Sequence, residues 1–461
     1  MDQVLLNTIS AHLNQGNFTE AVNLLRLTEN THINDAQYWE ILALTQGMSG
    51  NNSECKSCCL RAIKLNPGNV GTYINLGVAQ QNLGLLDEAE ETLLKAINMD
   101  NTHPQVQNNL GAIYILKSQY DRAKPYIENA ISINPDYSEA LGNLGEIYKN
   151  FQEHDKAIEC YLKSIKLNSH NINAYIGLGT LHSYLANYKK AEHYLNEAIR
   201  LNPYGSEENF SLGFLHYLKK SYDDAATFFR NTLKINPDHP NARYLLSAIS
   251  GEESPDQSPE IYVRNLFDHY AETFDNHLVN DLGYRVPDTM HKIFTEYATP
   301  EKTQRLLDLG CGTGICGEKF HTSYQHLVGI DLAERMIKKS KEKGIYDELH
   351  NSDITKFIQN SASKYDLTIA ADVFIYIGNI AELVKMIYNI QEDGGYFIFS
   401  IEKSSKHDTF HLRDTGRYSH SMDYIKKILD DASYSIIASV PTIVRNEKGS
   451  SIDGIIYLCQ K

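Results

Sequence analysis

The sequence predicts an α-helical solenoid followed by an α/β domain built on a doubly wound parallel sheet. Three observations predict it. A pattern of small and apolar residues recurs every 34 residues between Asp2 and His239 without insertion. An apolar strand, Leu306-Leu307-Asp308-Leu309, runs into the glycine-rich turn Gly310-Cys311-Gly312-Thr313-Gly314. Beyond that turn, apolar strands alternate with helix-like stretches, and acids fall at successive strand ends.

Seven consecutive units of 34 residues fill positions 2–239. Gly77, Gly111, Gly145, Gly179 and Gly213 share one position, each after a leucine, and Ala21, Cys55, Ala89, Ala123, Ala157, Ala191 and Ala225 share another. Small residues there let the two helices of a hairpin cross closely, and Pro67, Pro135, Pro203 and Pro237 fall at the turn before the next hairpin. The pattern resembles the tetratricopeptide repeat (TPR) family and covers more than half the chain. The first unit departs furthest, with Thr8 and Ile9 in place of leucine and glycine, as terminal units lacking a neighbour do. Residues 240–250 are expected to form a capping helix.

Such arrays bind partners along a concave groove. Asn75, Asn109 and Asn143 repeat at one position on the first helix of successive units. An amide ladder of this kind resembles the one in the TPR region of O-linked N-acetylglucosamine transferases, which implies a protein or peptide partner held by its backbone. The alternative is that asparagine is simply common at this repeat position. Cys55, Cys58 and Cys59 occupy packing positions of one repeat helix, with no second ligand pair at zinc spacing, so no metal is expected.

Residues 251–260 are polar and hold two prolines, which reads as a linker between an array at 1–250 and a second domain at 261–461. Residues 261–297 read as helices that precede the sheet and cover a ligand.

The glycine turn describes a nucleotide-type site. Glycines let the backbone turn sharply, lie against a ligand and enter a helix, and Asp331, ending the next apolar strand, suits both hydroxyls of a ribose. Gly312 to Gly317 also reads as G-x-G-x-x-G, a weak match to a dinucleotide site, and a turn with no ligand is the third reading. Against the dinucleotide reading, Gly310 and Cys311 intervene between strand and first glycine, and Asp308 sits inside the strand end, where a carboxylate receives an amino group. The pattern resembles the class I S-adenosylmethionine (SAM) methyltransferases, whose domain is Rossmann-like. That resemblance implies SAM as cofactor, held by Asp308, Gly310, Gly312, Gly314, Asp331, Leu332, Asp353, Ile354 and Ala370, with Asp353 on the adenine amino group.

The segments around Phe267-Asp268-His269-Tyr270, Leu282-Gly283-Tyr284-Arg285, Ala370-Ala371-Asp372-Val373 and Gly416-Arg417-Tyr418-Ser419-His420 resemble the TPR-containing predicted methyltransferases along the whole chain. Related enzymes imply that Tyr270 and Arg285 contact the methionine part of SAM. A hydroxyl acceptor needs a base of near-neutral pKa, for which Asp372 and His420 are the candidates, whereas a carboxylate or neutral amine attacks unaided. Tyr376, Arg417 and Tyr418 are candidate substrate-wall residues on loops.

A formal charge of −15 with no basic stretch argues against non-specific binding to nucleic acid or anionic membranes. No apolar run reaches membrane-spanning length, Met1 to Gln15 lacks signal-peptide features, and seven cysteines fit reduced thiols, so a cytoplasmic location is expected. Three functions are consistent with these features. The first is a SAM methyltransferase whose array recruits a protein. The second is a small-molecule or glycan methyltransferase whose array mediates assembly. The third is a TPR scaffold with an inactive SAM-binding domain.

Overall fold

The computed structural model describes residues 3–251, 254–278, 282–298, 305–404, 409–447 and 450–461. The chain divides into two compact units, 1–203 and 204–461. The first holds six helix pairs, from Gln3–Asn14 with Phe18–Leu27 through to Ile172–Tyr184 with Tyr188–Leu201. Side chains at the end of three repeats start the next helix: Asp35 accepts from the Gln37 N–H, Asn69 from Gly71 and Asn171 from Ala174. The recurrent glycine marks where a first helix lies on its partner. A Cβ at Gly111 would meet Ile127 Cδ1 at 2.5 Å, and one at Gly77 would meet Leu93 at 2.8 Å. Cys55, Cys58 and Cys59 are buried in the core of the early repeats beside Trp39 and Leu42.

One periodic feature lies in the turn inside each hairpin. Gly16, Gly50, Gly84, Ser118, Gln152, Ala186 and Lys220 follow at intervals of 34, and all have φ between 55° and 81°. Glycine adopts that conformation at little cost; the later four residues hold it against about 1–2 kcal/mol of steric penalty each.

The second unit opens with the seventh helix pair, Ser206–Leu218 and Tyr222–Ile235, and the expected capping helix, Pro240–Ser250. These are packed into the sheet-bearing part of the same unit, with Phe229, Tyr244 and Leu245 sharing one core cluster with Leu412 and Tyr418. The division is therefore at Pro203, not at the expected linker. Within that linker, residues 252 and 253 lie outside the described residues, but the rest is paired. The Asp256 carbonyl accepts from the Gly378 and Asn379 N–H groups at 2.7 and 2.9 Å, and the Ser258 N–H donates to Tyr376 O at 2.9 Å. Polar, proline-containing composition predicts irregular backbone correctly; it carries no information on whether that backbone finds tertiary partners.

Seven strands form the sheet: β1 (Arg305–Leu309), β2 (His326–Asp331), β3 (Glu348–Asn351), β4 (Tyr365–Ala370), β5 (Gln391–Glu402), β8 (Ser435–Glu447) and β9 (Ser450–Gln460), in the order β3-β2-β1-β4-β5-β9-β8. Strands β1 to β5 run parallel, and β9 and β8 pair antiparallel at one edge. A separate hairpin joins β6 (Phe410–Leu412) to β7 (Tyr418–His420). Strand order reverses between β1 and β4, so their carboxyl ends open a crevice, the usual ligand position in such sheets. The expected preface is present as helices Glu260–Tyr270, Phe274–Asn276 and Val286–Tyr297, with residues 279–281 outside the described set. Among the described residues no helix is long and apolar enough to cross a membrane.

Candidate functional site

A cavity of about 210 Å³ opens at that crevice. Its floor is the turn after β1. Gly310, Gly312 and Gly314 all have positive φ, and a Cβ on Gly310 would lie 2.7 Å from Val373 Cγ2. Asp331 ties the turn to the segment after β2, one oxygen accepting from the Gly312 N–H at 2.9 Å and the other from the Ala333 N–H at 2.8 Å. Each oxygen retains a lone pair for a ligand hydroxyl. Burial pushes the Asp331 carboxyl up to about 6, against the lowering effect of those N–H groups. Gly310, Gly312, Asp331, Leu332, Asp353 and Ile354 all line the cavity as the sequence predicts. Asp353 also caps the following helix through the Lys356 N–H at 3.0 Å.

Asp308, Gly314 and Ala370 stand behind the cavity wall. Asp308 is buried and accepts a hydrogen bond from Tyr346 Oη at 2.6 Å, while its other oxygen has no hydrogen-bond partner among the described residues. Burial, partly offset by Tyr346, pushes its carboxyl up to about 7. A Cβ at Gly314 would reach Tyr346 at 3.0 Å and one at Gly329 at 2.8 Å, so these glycines make room for the Tyr346 ring. Ala370 is fully buried within the sheet, and its neighbour Ala371 reaches the cavity instead.

The preface helices supply the roof, with different residues from those expected. Tyr270 is 39% exposed and stacks on His277, and the side chain of Arg285 is 70% exposed beside Asp288 at 3.9 Å. Neither is among the residues that line the cavity. Phe267 and Phe274 line the cavity, edge to face with each other, and Phe267 meets Tyr376 in the same way at 5.3 Å. The roof is pinned by the Asp268 carboxylate, which accepts the Arg335 N–H at 3.0 Å, and by the Thr313 hydroxyl donating to Asp275.

On the remaining wall the structure brings together Asp372, Tyr376, Arg417 and a residue sequence reasoning missed, Arg445. Asp372 has φ 56°; its N–H donates to Ser400 Oγ at 2.9 Å, Ser400 donates back to Oδ1 at 3.0 Å, and Oδ2 lies 3.5 Å from Arg445 Nη1. Arg445 and Glu402, with side chains 3% and 1% exposed, form a buried pair, and Arg413 closes on the other Glu402 oxygen at 2.6 Å. Burial raises the Asp372 pKa and Arg445 opposes the rise. A buried charge requires a partner, so Arg445 in the apolar run Ile443-Val444-Arg445 and Glu402 closing the apolar β5 were the available signals.

His420 and Tyr418 are corrections. His420 is fully buried away from the cavity, with Nε2 directed at the carbonyls of Ile377 and Gly378, each at 3.0 Å, and burial pushes its pKa down to about 4. It pins a loop and has no access to an acceptor. Tyr418 is buried too, donating to the Pro255 carbonyl at 2.7 Å. In the array, Asn143 donates to Asn108 Oδ1 at 2.8 Å and Asn108 to Asn109 at 3.3 Å, so part of the amide ladder bonds internally.

Residues 278–434 match a family described as a methyltransferase domain, and residues 58–91, 104–137, 136–203 and 176–240 match tetratricopeptide repeat families. The malonyl-[acyl-carrier protein] O-methyltransferase 2 of Ilyobacter polytropus is 29% identical over 188 residues, 38% of this chain and 66% of that protein. The ubiquinone biosynthesis O-methyltransferase of Aromatoleum aromaticum is 27% identical over 101 residues, 21% of this chain and 43% of that protein. The chain thus spans less than two thirds of either relative's length. A solved S-adenosylmethionine-dependent methyltransferase from Clostridium acetobutylicum is 20% identical with a TM-score of 0.33, covering 42% of this chain and 99% of that one. From its family matches and its sheet order, this chain joins a tetratricopeptide-repeat array to a class I, SAM-dependent methyltransferase domain.

Proposed function

We propose that the second unit transfers the methyl group of SAM to a carboxylate oxygen, and that the repeat array recruits a protein partner. The cavity fits the cofactor. Gly310 and Gly312 bring bare backbone to its floor, Asp331 keeps acceptor capacity for a ribose, Asp353 suits an adenine amino group, and Leu332 and Ile354 offer apolar surface to a flat ring. When bound, SAM supplies an electrophilic methyl on a sulfonium.

The chain's own residues then have to align an oxygen and exclude water. One observation carries the acceptor class: the cavity wall presents Arg417 beside Arg445, which Glu402 and Asp372 hold, and among the described residues no histidine lines it. Guanidinium groups match a carboxylate in shape and charge, and a carboxylate attacks without a base. Asp372 and Glu402 hold Arg445 in place, so Asp372 acts as its orienting partner in preference to a general base. Phe267, Phe274 and Tyr376 keep the reaction space dry. The O-methyltransferase names of both relatives support an oxygen acceptor, and the first relative's name supports a malonyl thioester, with its free carboxylate, as that acceptor. For the array, the asparagine ladder supports a peptide partner, with Asn75 and Asn109 half buried on one face.

Transfer of tritiated methyl from SAM to a cell lysate tests the proposal. Methyl esters release volatile methanol in mild alkali, whereas aryl ethers and methylamines do not. Alkali-labile label that depends on Arg417 is expected; alkali-stable label would shift the acceptor to a phenol or amine.

A further inference from the structure

The last repeat is joined to the cavity wall through the β6–β7 hairpin. Three tyrosine hydroxyls, from three helices of the repeat and its cap, grip the turn at 413–417. Tyr217 Oη donates to the Asp414 carbonyl at 2.9 Å, Tyr222 Oη to Asp414 Oδ2 at 3.1 Å and Tyr244 Oη to the Gly416 carbonyl at 2.9 Å. The fit is close: Gly416 has φ 68°, and a Cβ there would meet Tyr262 Oη at 2.8 Å and Tyr217 Oη at 3.4 Å. Burial keeps the hydroxyls protonated, with Tyr222 pushed up to about 12 and Tyr217 and Tyr244 higher. Inside the turn, the Arg413 N–H donates to Arg417 O at 2.9 Å and the Gly416 N–H to Arg413 O at 2.9 Å. The last residue of this gripped turn, Arg417, lines the cavity, and its first, Arg413, is tied to Glu402. Tyr244 Oη also meets Ser258 Oγ at 2.6 Å, and Ser258 lines the cavity.

We infer that the seventh repeat is part of the acceptor site: Tyr217, Tyr222 and Tyr244 are positioning residues that hold the 413–417 turn so that Arg417 meets the acceptor. The repeat most distant in sequence from the array's start thereby sets acceptor affinity while leaving the cofactor pocket alone. The inference rests on the acceptor reading above. Three donors from separate helices converge on one short turn, which a hairpin needing only its own strand pairing does not require.

The test uses the full chain with Tyr217, Tyr222 and Tyr244 all replaced by Phe, which keeps every ring, and a milder pair, Tyr217→Phe with Tyr222→Phe, in case the triple variant folds poorly. Hydrogen exchange across 409–421 should quicken, KM for a malonyl N-acetylcysteamine thioester should rise about tenfold, and SAM affinity and kcat should hold. Unchanged exchange would overturn the clamp. Faster exchange with unchanged KM would overturn its role at the acceptor site, and parallel loss of SAM affinity and kcat would reduce it to general stability. Absence of transfer to the thioester by the unaltered protein would instead sink the acceptor reading, with the exchange result still deciding the clamp.

Discussion

SAM affinity should fall on acidification with a midpoint set by Asp331. Its carboxyl is pushed up to about 6 by burial, and only the charged form accepts from both ribose hydroxyls while still bracing Gly312 and Ala333. For a single group of pKa about 6, affinity is full at about pH 7.5, halves at about pH 6 and is about 11-fold weaker at about pH 5, a loss of about 1.4 kcal/mol. The sign follows from the shift: a raised carboxyl takes up its proton inside the working range, and binding must then expel it. Asp308, pushed up to about 7 by burial and by the neighbouring Asp331 carboxylate, contributes a second step through Asp331 that Asp308→Asn should remove. Isothermal titration of SAM at four pH values, on the unaltered protein and on Asp308→Asn, measures both. Affinity flat from about pH 7.5 to about pH 5 would refute the assignment of Asp331 as the ribose acceptor.

Three further outcomes are expected. His420, buried neutral with its pKa pushed down from 6.5 to about 4, should make the protein lose about 3 kcal/mol relative to His420→Gln as pH falls from about 6.5 to about 4, because the unfolded chain binds the proton the folded one refuses; urea melts across that window check it. Arg445→Met should destabilise by about 3–5 kcal/mol by leaving Glu402 and Asp372 short of a buried partner, with less loss when Glu402→Gln is added, as a denaturant double-mutant cycle would read. Ala186→Gly should stabilise the first unit by about 0.5–1 kcal/mol, the relief of a left-handed residue less the added entropy of glycine, measured by thermal melting.

Much of this was legible in the sequence because it depends on period and local chemistry. The interval of 34 fixes the helix pairs, and the glycine turn with Asp331, Leu332, Asp353 and Ile354 marks residues that line the cavity. Residues whose role depends on a distant partner were not legible. Arg445 is decided by Glu402 and Asp372, and Tyr346 by the space above Gly314 and Gly329. Which face of a preface helix turns inward also escaped, so Tyr270 and Arg285 gave way to Phe267 and Phe274. His420 illustrates the same limit, since its type and loop position suit a base and only burial shows that it is a pin. The boundary at 251–260 failed for a related reason: composition reports polarity, whereas the hydroxyls of Tyr244 and Tyr418 and the carbonyl of Asp256 join the last repeat to the transferase unit.

The most direct test of the central claim is a competition in one tube. Purified full-length protein and SAM are given equal amounts of a malonyl N-acetylcysteamine thioester and catechol, and the methylated products are separated and identified. The account predicts the methyl ester, lost when Arg417 is replaced by Met. A methyl aryl ether as the main product, or no methylated product while SAM still binds, would contradict it.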